Sequence, residues 1–174
     1  IENLPQIEDV HVMTDMLRAL GADIQHTGTT MRVNPAGVKY FTAPYDLGRK
    51  MRASYYLVPV LLGLFGRAEV ALPGGCDIGA RPIDYSVKGW EQLGAEIKLE
   101  RGQIVAQSKG LKGCDVYLDF PSVGATINIM LTAVVAEGNT TIFNAAKEPH
   151  IVDLANFLGS IGVWIKGAGT DIIR

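Results

Sequence analysis

The sequence predicts an α/β fold in which two enclosed helices are wrapped by small sheets and by amphipathic helices. Three observations predict it. A helix that closes on glycine and runs straight into a strand occurs three times, in MLRALGADI (Met16–Ile24), GWEQLGAEI (Gly89–Ile97) and NFLGSIGVWI (Asn156–Ile165). A second helix type, apolar nearly all round, alternates with the first in KMRASYYLVPVLLGLFG and SVGATINIMLTAVVAEG. The spacing also repeats, with Gly21 and Gly66 45 residues apart and Gly94 and Gly138 44 apart. A fixed period of this kind marks repeated supersecondary units. The chain therefore reads as two similar units and most of a third, each helix–strand–strand–helix–strand.

Taken in order, each element has a local cause. In Met13–Leu20, Met13, Met16, Leu17 and Leu20 recur at i, i+3, i+4 and i+7, which makes one buried stripe with Thr14, Asp15 and Arg18 toward water. Gly21, Gly94 and Gly162 stand where a helix C-cap needs positive φ. MRVNPAGVKYFT, IKLERGQIVAQS and CDVYLDF alternate apolar and polar residues around turn signals and read as short strands. The helices Met51–Phe65 and Ala125–Ala136 have no polar face, so other elements must enclose them. Pro59 is expected to kink the first, because it cannot donate to the carbonyl four residues back. Pro149 opens the last helix, in KEPHIVD, where a helix-start carboxylate is the plain reading of Glu148.

Composition narrows the function classes. The chain has 174 residues, 48% of them hydrophobic, enough for a substantial core in one domain. A net charge of −2 gives no broad basic field for nucleic acid or a membrane surface, although it leaves room for a local anion site. The longest apolar stretch, Ala53–Phe65, is about one-third short of a membrane span. Two cysteines in unlike contexts, Cys76 and Cys114, do not form a disulfide framework, so a cytoplasmic location is expected. The chain opens on Ile1 and closes on GTDIIR, and it is expected to be a piece of a longer protein.

Several stretches carry chemistry. LPGGCDIGARPID (Leu72–Asp84) sets Cys76 behind two glycines, with Arg81 five residues on. A cation nearby favours the thiolate, and a glycine-flanked loop can carry an acid–base thiol. The same stretch also reads as a structural turn with an incidental cysteine. Cys114, at a strand start, reads as a small buried residue. RKMRAS sets Arg49, Lys50 and Arg52 at the mouth of one enclosed helix, and FPSVGAT sets Ser122, Val123 and Gly124 at the mouth of the other. Ser122 suits an N-cap, and unpaired N–H groups at a helix start attract anions. A solvated surface and a plain cap remain the alternatives. Other templates fail: there is no phosphate-loop signature, no complete dinucleotide fingerprint, no HExxH and no GxSxG, and His11, His26 and His150 are scattered. No metal is expected.

PYDLGRKMRAS, LPGGCDIGARPID, PSVGATINIM and NAAKEPHIVDLANFL together resemble the UDP-N-acetylglucosamine 1-carboxyvinyltransferases, a family of enolpyruvyl transferases, over nearly the whole chain. The resemblance implies an inside-out α/β barrel of βαβαββ units around buried helices. It implies that residues 1–174 are most of the cysteine-loop domain of a two-domain enzyme, lacking the second domain and an N-terminal strand. It implies transfer of an enolpyruvyl group from phosphoenolpyruvate to the 3-hydroxyl of UDP-N-acetylglucosamine in a bacterial cytoplasm, without a cofactor, as the first committed step of peptidoglycan synthesis. By position, Cys76 matches the loop acid, which is also the residue fosfomycin alkylates. Arg81 matches a phosphate contact, and Arg52 matches the ligand-facing arginine of MRAS. Pro82, Ile83, Asp84 and Tyr85 match the segment that holds the nucleotide sugar, and Ser122, Val123 and Gly124 the stretch near its diphosphate. The match departs at Ser86, where the family usually has histidine, and at Phe120, where some members carry lysine. The aspartate base and remaining arginines belong to the other domain, so the piece alone is expected not to turn over. The 5-enolpyruvylshikimate-3-phosphate synthases, similar in architecture but without the cysteine loop, and a non-catalytic binding domain are the alternatives.

Overall fold

The computed structural model describes residues 1–74 and 83–174. The first unit begins with α1 (Glu8–Leu20), then the hairpin of β1 (Asp23–Thr27) and β2 (Thr30–Asn34). A short α2 (Tyr45–Gly48) and a 3-10 turn (Arg52–Tyr56) lead into α3 (Leu57–Phe65), followed by β3 (Arg67–Ala71). The second unit repeats the plan with α4 (Asp84–Gln92), the hairpin of β4 (Glu96–Glu100) and β5 (Gln103–Gln107), β6 (Asp115–Tyr117), α5 (Val123–Val135) and β7 (Thr141–Phe143). The third unit contributes α6 (Pro149–Ser160) and β8 (Ile172–Ile173).

The two complete units also share a strand that the repeat pattern alone does not count. β6 runs parallel to β7, with Val116 opposite Ile142. At the matching place in the first unit Thr42 bridges Glu69 in parallel, and the Ala43 amide donates to the Glu69 carbonyl at 2.8 Å. With this strand counted, the order is α-β-β-β-α-β, a cyclic permutation of βαβαββ. Three sheets result: β1–β2, the antiparallel β3–β5–β4, and β6–β7–β8. The hairpin β4–β5 turns on Arg101 and Gly102, both at positive φ, as a tight two-residue loop requires.

Helices α3, α4 and α5 pack together inside these sheets. Val58, Leu61, Trp90, Leu93, Ile104, Ile129 and Ile151 are almost wholly buried in one core. Gly89 lets α4 approach α5 so closely that a Cβ there would press on the Ile129 side chain. The three repeated caps Gly21, Gly94 and Gly162 all take positive φ, at 110°, 95° and 99°.

Four expectations are corrected. The strand expected directly after Gly162 does not form at residues 163–165, and β8 lies further on, at Ile172–Ile173. The first apolar helix does not begin at Met51: residues 52–56 are 3-10, and Pro59 falls in the first turn of α3. There its missing N–H has little to lose, so the proline sits at a helix start instead of a kink. Thr14 does not face water but is 4% exposed, and its hydroxyl donates to the Val10 carbonyl at 2.6 Å, which satisfies it inside the core. The enclosed helices are covered on one side only. Val60, Leu64, Val134 and Val135 remain exposed.

Candidate active site

A cavity of about 320 Å³ opens between the 3-10 turn before α3, the start of α4 and the amino end of α5. Its basic wall is Arg52, its aromatic wall Tyr55, Tyr56 and Tyr85, and its floor Ser122, Val123 and Gly124, with Ser86 beside them. Local sequence explains each position. Ser122 is extended and caps α5, its hydroxyl oxygen accepting from the Ala125 amide at 3.4 Å. The next amides therefore point out of the helix start toward the cavity end, where a negative charge is stabilised. Thr126 locks this end in place: its hydroxyl donates to the Ser122 carbonyl at 2.8 Å and accepts from the Ala146 amide at 3.0 Å.

The aromatic wall is tightly built. Tyr55 and Tyr56 stack with ring centroids 4.8 Å apart, and the Arg52 guanidinium lies 5.9 Å from the Tyr55 centroid. The Tyr55 hydroxyl rests against the α-carbon of Gly124, so only glycine fits at that floor position. Burial, then the neighbouring Tyr55, push the Tyr56 phenol well above its ordinary pKa, against the opposing pull of Arg52. Tyr56 therefore stays neutral and can donate a hydrogen bond.

Of the residues singled out from sequence, Arg52, Tyr85, Ser122, Val123 and Gly124 meet at this cavity. Ile83 caps α4 with its side chain in the core, and Asp84 is exposed as the first residue of that helix. Cys76, Arg81 and Pro82 lie outside the described residues. Cys114 is half-buried, with its sulfur 3.4 Å from the Gln92 carbonyl, and burial followed by Asp115 raises its pKa, which disfavours the thiolate. Phe120 is exposed, and beside it Asp119 pairs with Lys88 at 2.8 Å. Among the described residues no group of His, Cys, Asp and Glu could hold a metal, and no helix is long and apolar enough to cross a membrane.

Sequence reasoning missed Tyr55 and Tyr56 as cavity residues, and it passed over Asn128, buried one turn behind the floor. The tyrosines follow Arg52 by three and four residues, which on a helical turn puts them beside it. Asn128 is a polar residue in the middle of an apolar helix, itself a signal that something there needs hydrogen bonding. A larger cavity of about 580 Å³ lies at the far end of α5, between Val134, Ile142, Val163 and Trp164. Arg174 lines it, but no helix begins there among the described residues, whereas the smaller cavity sets Arg52 beside the amino end of α5.

A fold with apolar helices inside, sheets outside and an anion-suited cavity at a helix start is that of the enolpyruvyl transferases. The family described as EPSP synthase (3-phosphoshikimate 1-carboxyvinyltransferase) matches residues 1–174, and the chain belongs to it. It is 51% identical over its whole length to UDP-N-acetylglucosamine 1-carboxyvinyltransferase 2 of Clostridium acetobutylicum, covering 42% of that protein. It is 49% identical to the enzyme of the same name from Bacillus subtilis, covering all of this chain and 41% of that one. The chain thus spans less than half the length of the curated relatives it matches. Among solved structures, the enolpyruvyl transferase NikO from Streptomyces tendae superposes with a TM-score of 0.86 at 24% identity, over 99% of this chain and 41% of that one. EPSP synthase from Acinetobacter baumannii gives 0.65 at 20% identity, over 97% and 39%. At these identities the structures show the fold alone.

Proposed function

We propose that the protein containing this chain transfers the enolpyruvyl group of phosphoenolpyruvate to the 3-hydroxyl of UDP-N-acetylglucosamine and releases phosphate. In that reading residues 1–174 are most of its cysteine-loop domain, and the active cleft lies between this domain and a second one. The observation that carries the reading is the cavity at the amino end of α5, with Arg52 facing the Ser122–Gly124 turn. Its support from kinship is the 51% identity to an enzyme of that name, sustained over 174 residues.

The chemistry follows from the charges. Both substrates are polyanions, so an arginine and a helix start lower the cost of bringing them together. The sugar hydroxyl adds to C2 of phosphoenolpyruvate while a proton adds to its methylene carbon, giving a tetrahedral intermediate. Loss of phosphate from C2 and of a proton from the neighbouring carbon restores the double bond in the product. Cys76 is the proposed proton donor and Arg81 the proposed phosphate contact. Pro82, Ile83, Asp84 and Tyr85 hold the nucleotide sugar in this reading, with the diphosphate over Ser122, Val123 and Gly124. We place the complete protein in a bacterial cytoplasm, at the first committed step of peptidoglycan synthesis.

The test is phosphate release by the full-length protein. Release that requires both phosphoenolpyruvate and UDP-N-acetylglucosamine supports the reading. Release with shikimate 3-phosphate instead supports the sister activity, which the family description makes the specific rival. No release with either acceptor leaves a binding domain. Fosfomycin gives a second check: the full-length protein should gain the mass of one adduct at Cys76, and an unmodified Cys76 would count against its role as the loop thiol.

A further inference from the structure

Asn128 is wholly buried in α5, one turn past the Ser122–Gly124 floor. Its amide nitrogen donates to the Gly124 carbonyl at 2.9 Å and to the Ser86 hydroxyl oxygen at 3.5 Å. The first bond fixes the amide's orientation, since the reverse would set two oxygens face to face. Among the described residues the amide oxygen is left buried with no partner, a costly arrangement. Because Asn128 donates to it, Ser86 has its oxygen occupied and its proton to spare. Among the described residues the Ser86 hydroxyl meets no acceptor, and Ser86 lines the cavity. It is only 2% exposed, so its small opening is toward the cavity and not toward bulk water.

We infer that Ser86 is a hydrogen-bond donor to an oxygen of the bound sugar nucleotide, and that Asn128 is the positioning residue that turns the Ser86 proton into the cavity. The same amide steadies the Gly124 carbonyl, so one buried side chain sets two neighbouring points of the floor. The inference rests on the enolpyruvyl-transfer reading above and assigns one further contact within it.

The test is steady-state kinetics of the full-length protein with UDP-N-acetylglucosamine as the varied substrate. Ser86→Ala should raise its KM about tenfold, the loss of one hydrogen bond to a charged group. Ser86→Thr, which keeps the hydroxyl, should recover most of that loss. Asn128→Leu, close in shape but without the amide, should raise the same KM, and combining it with Ser86→Ala should add little further. The KM for phosphoenolpyruvate is the control, because a general loosening of the fold would raise both. If Asn128→Leu does not fold, the Ser86→Ala and Ser86→Thr pair decides alone. Turnover of UDP-N-acetylglucosamine with a KM indifferent to Ser86→Ala overturns this inference and leaves the reading standing. Absence of that turnover in the unaltered protein overturns both.

Discussion

Gly124 shows how much of the site depends on single atoms. Its α-carbon faces the Tyr55 hydroxyl, and Tyr55 is 3% exposed and cannot swing away. Gly124→Ala should therefore cost about 1–3 kcal/mol by overpacking. It should also weaken sugar-nucleotide binding, read as a lower melting temperature and a higher Kd in the full-length protein. Tyr56 makes a prediction in pH. Its pKa is raised above the ordinary 10.0, so the unfolded chain loses this proton first as pH rises. The unfolded state then binds fewer protons than the folded one, and stability falls with pH above that ordinary value. Melts at increasing alkalinity should show Tyr56→Phe losing less stability than the unaltered protein. Equal losses would mean that the phenol is not held neutral by the fold. The sequence made Arg52 and Ser122 visible through their motifs, but Tyr55 and Tyr56 meet them only when the turn before α3, the start of α4 and the amino end of α5 converge.

At the scale of elements, periodicity and caps carried most of the information. The glycine caps appear as the sequence implies, and so do the β4–β5 hairpin and the proline start of α6, while the stripe of α1 does so in part: Met16 and Leu20 are buried, Met13 and Leu17 half-buried, and Val12 and Thr14 join the buried side. The start of α3 was not legible. Helical periodicity cannot tell a 3-10 turn from the first turn of an α-helix, and Pro59 suits both a kink and a helix start. Nor could one-dimensional pattern show that α3 and α5 would be apolar on a side left uncovered. The helix contacts themselves can be tested. Gly89→Ala should push α4 away from Ile129 and lower stability by about 1–2 kcal/mol, the overpacking outweighing alanine's better helix propensity. Ser122→Ala should cost about 0.5–1 kcal/mol, at the low end for a cap because its bond to Ala125 is long. Differential melts of the two variants would separate packing from capping.

Over the whole molecule, the repeat places two like helices side by side, and their amino ends face one cavity. Function follows from that placement more than from any one motif. The fold was readable because each unit repeats its own punctuation. The site was readable only in part: Cys76, Arg81 and Pro82 lie outside the described residues, and Tyr55 and Tyr56 reach the cavity only through the packing of the elements around it. The most direct measurement is a crystal structure of the full-length protein with UDP-N-acetylglucosamine bound. The account predicts the diphosphate within hydrogen-bonding distance of the Val123 and Gly124 amides, on the side of the cavity that Arg52 faces. A diphosphate seated away from the amino end of α5 would contradict it.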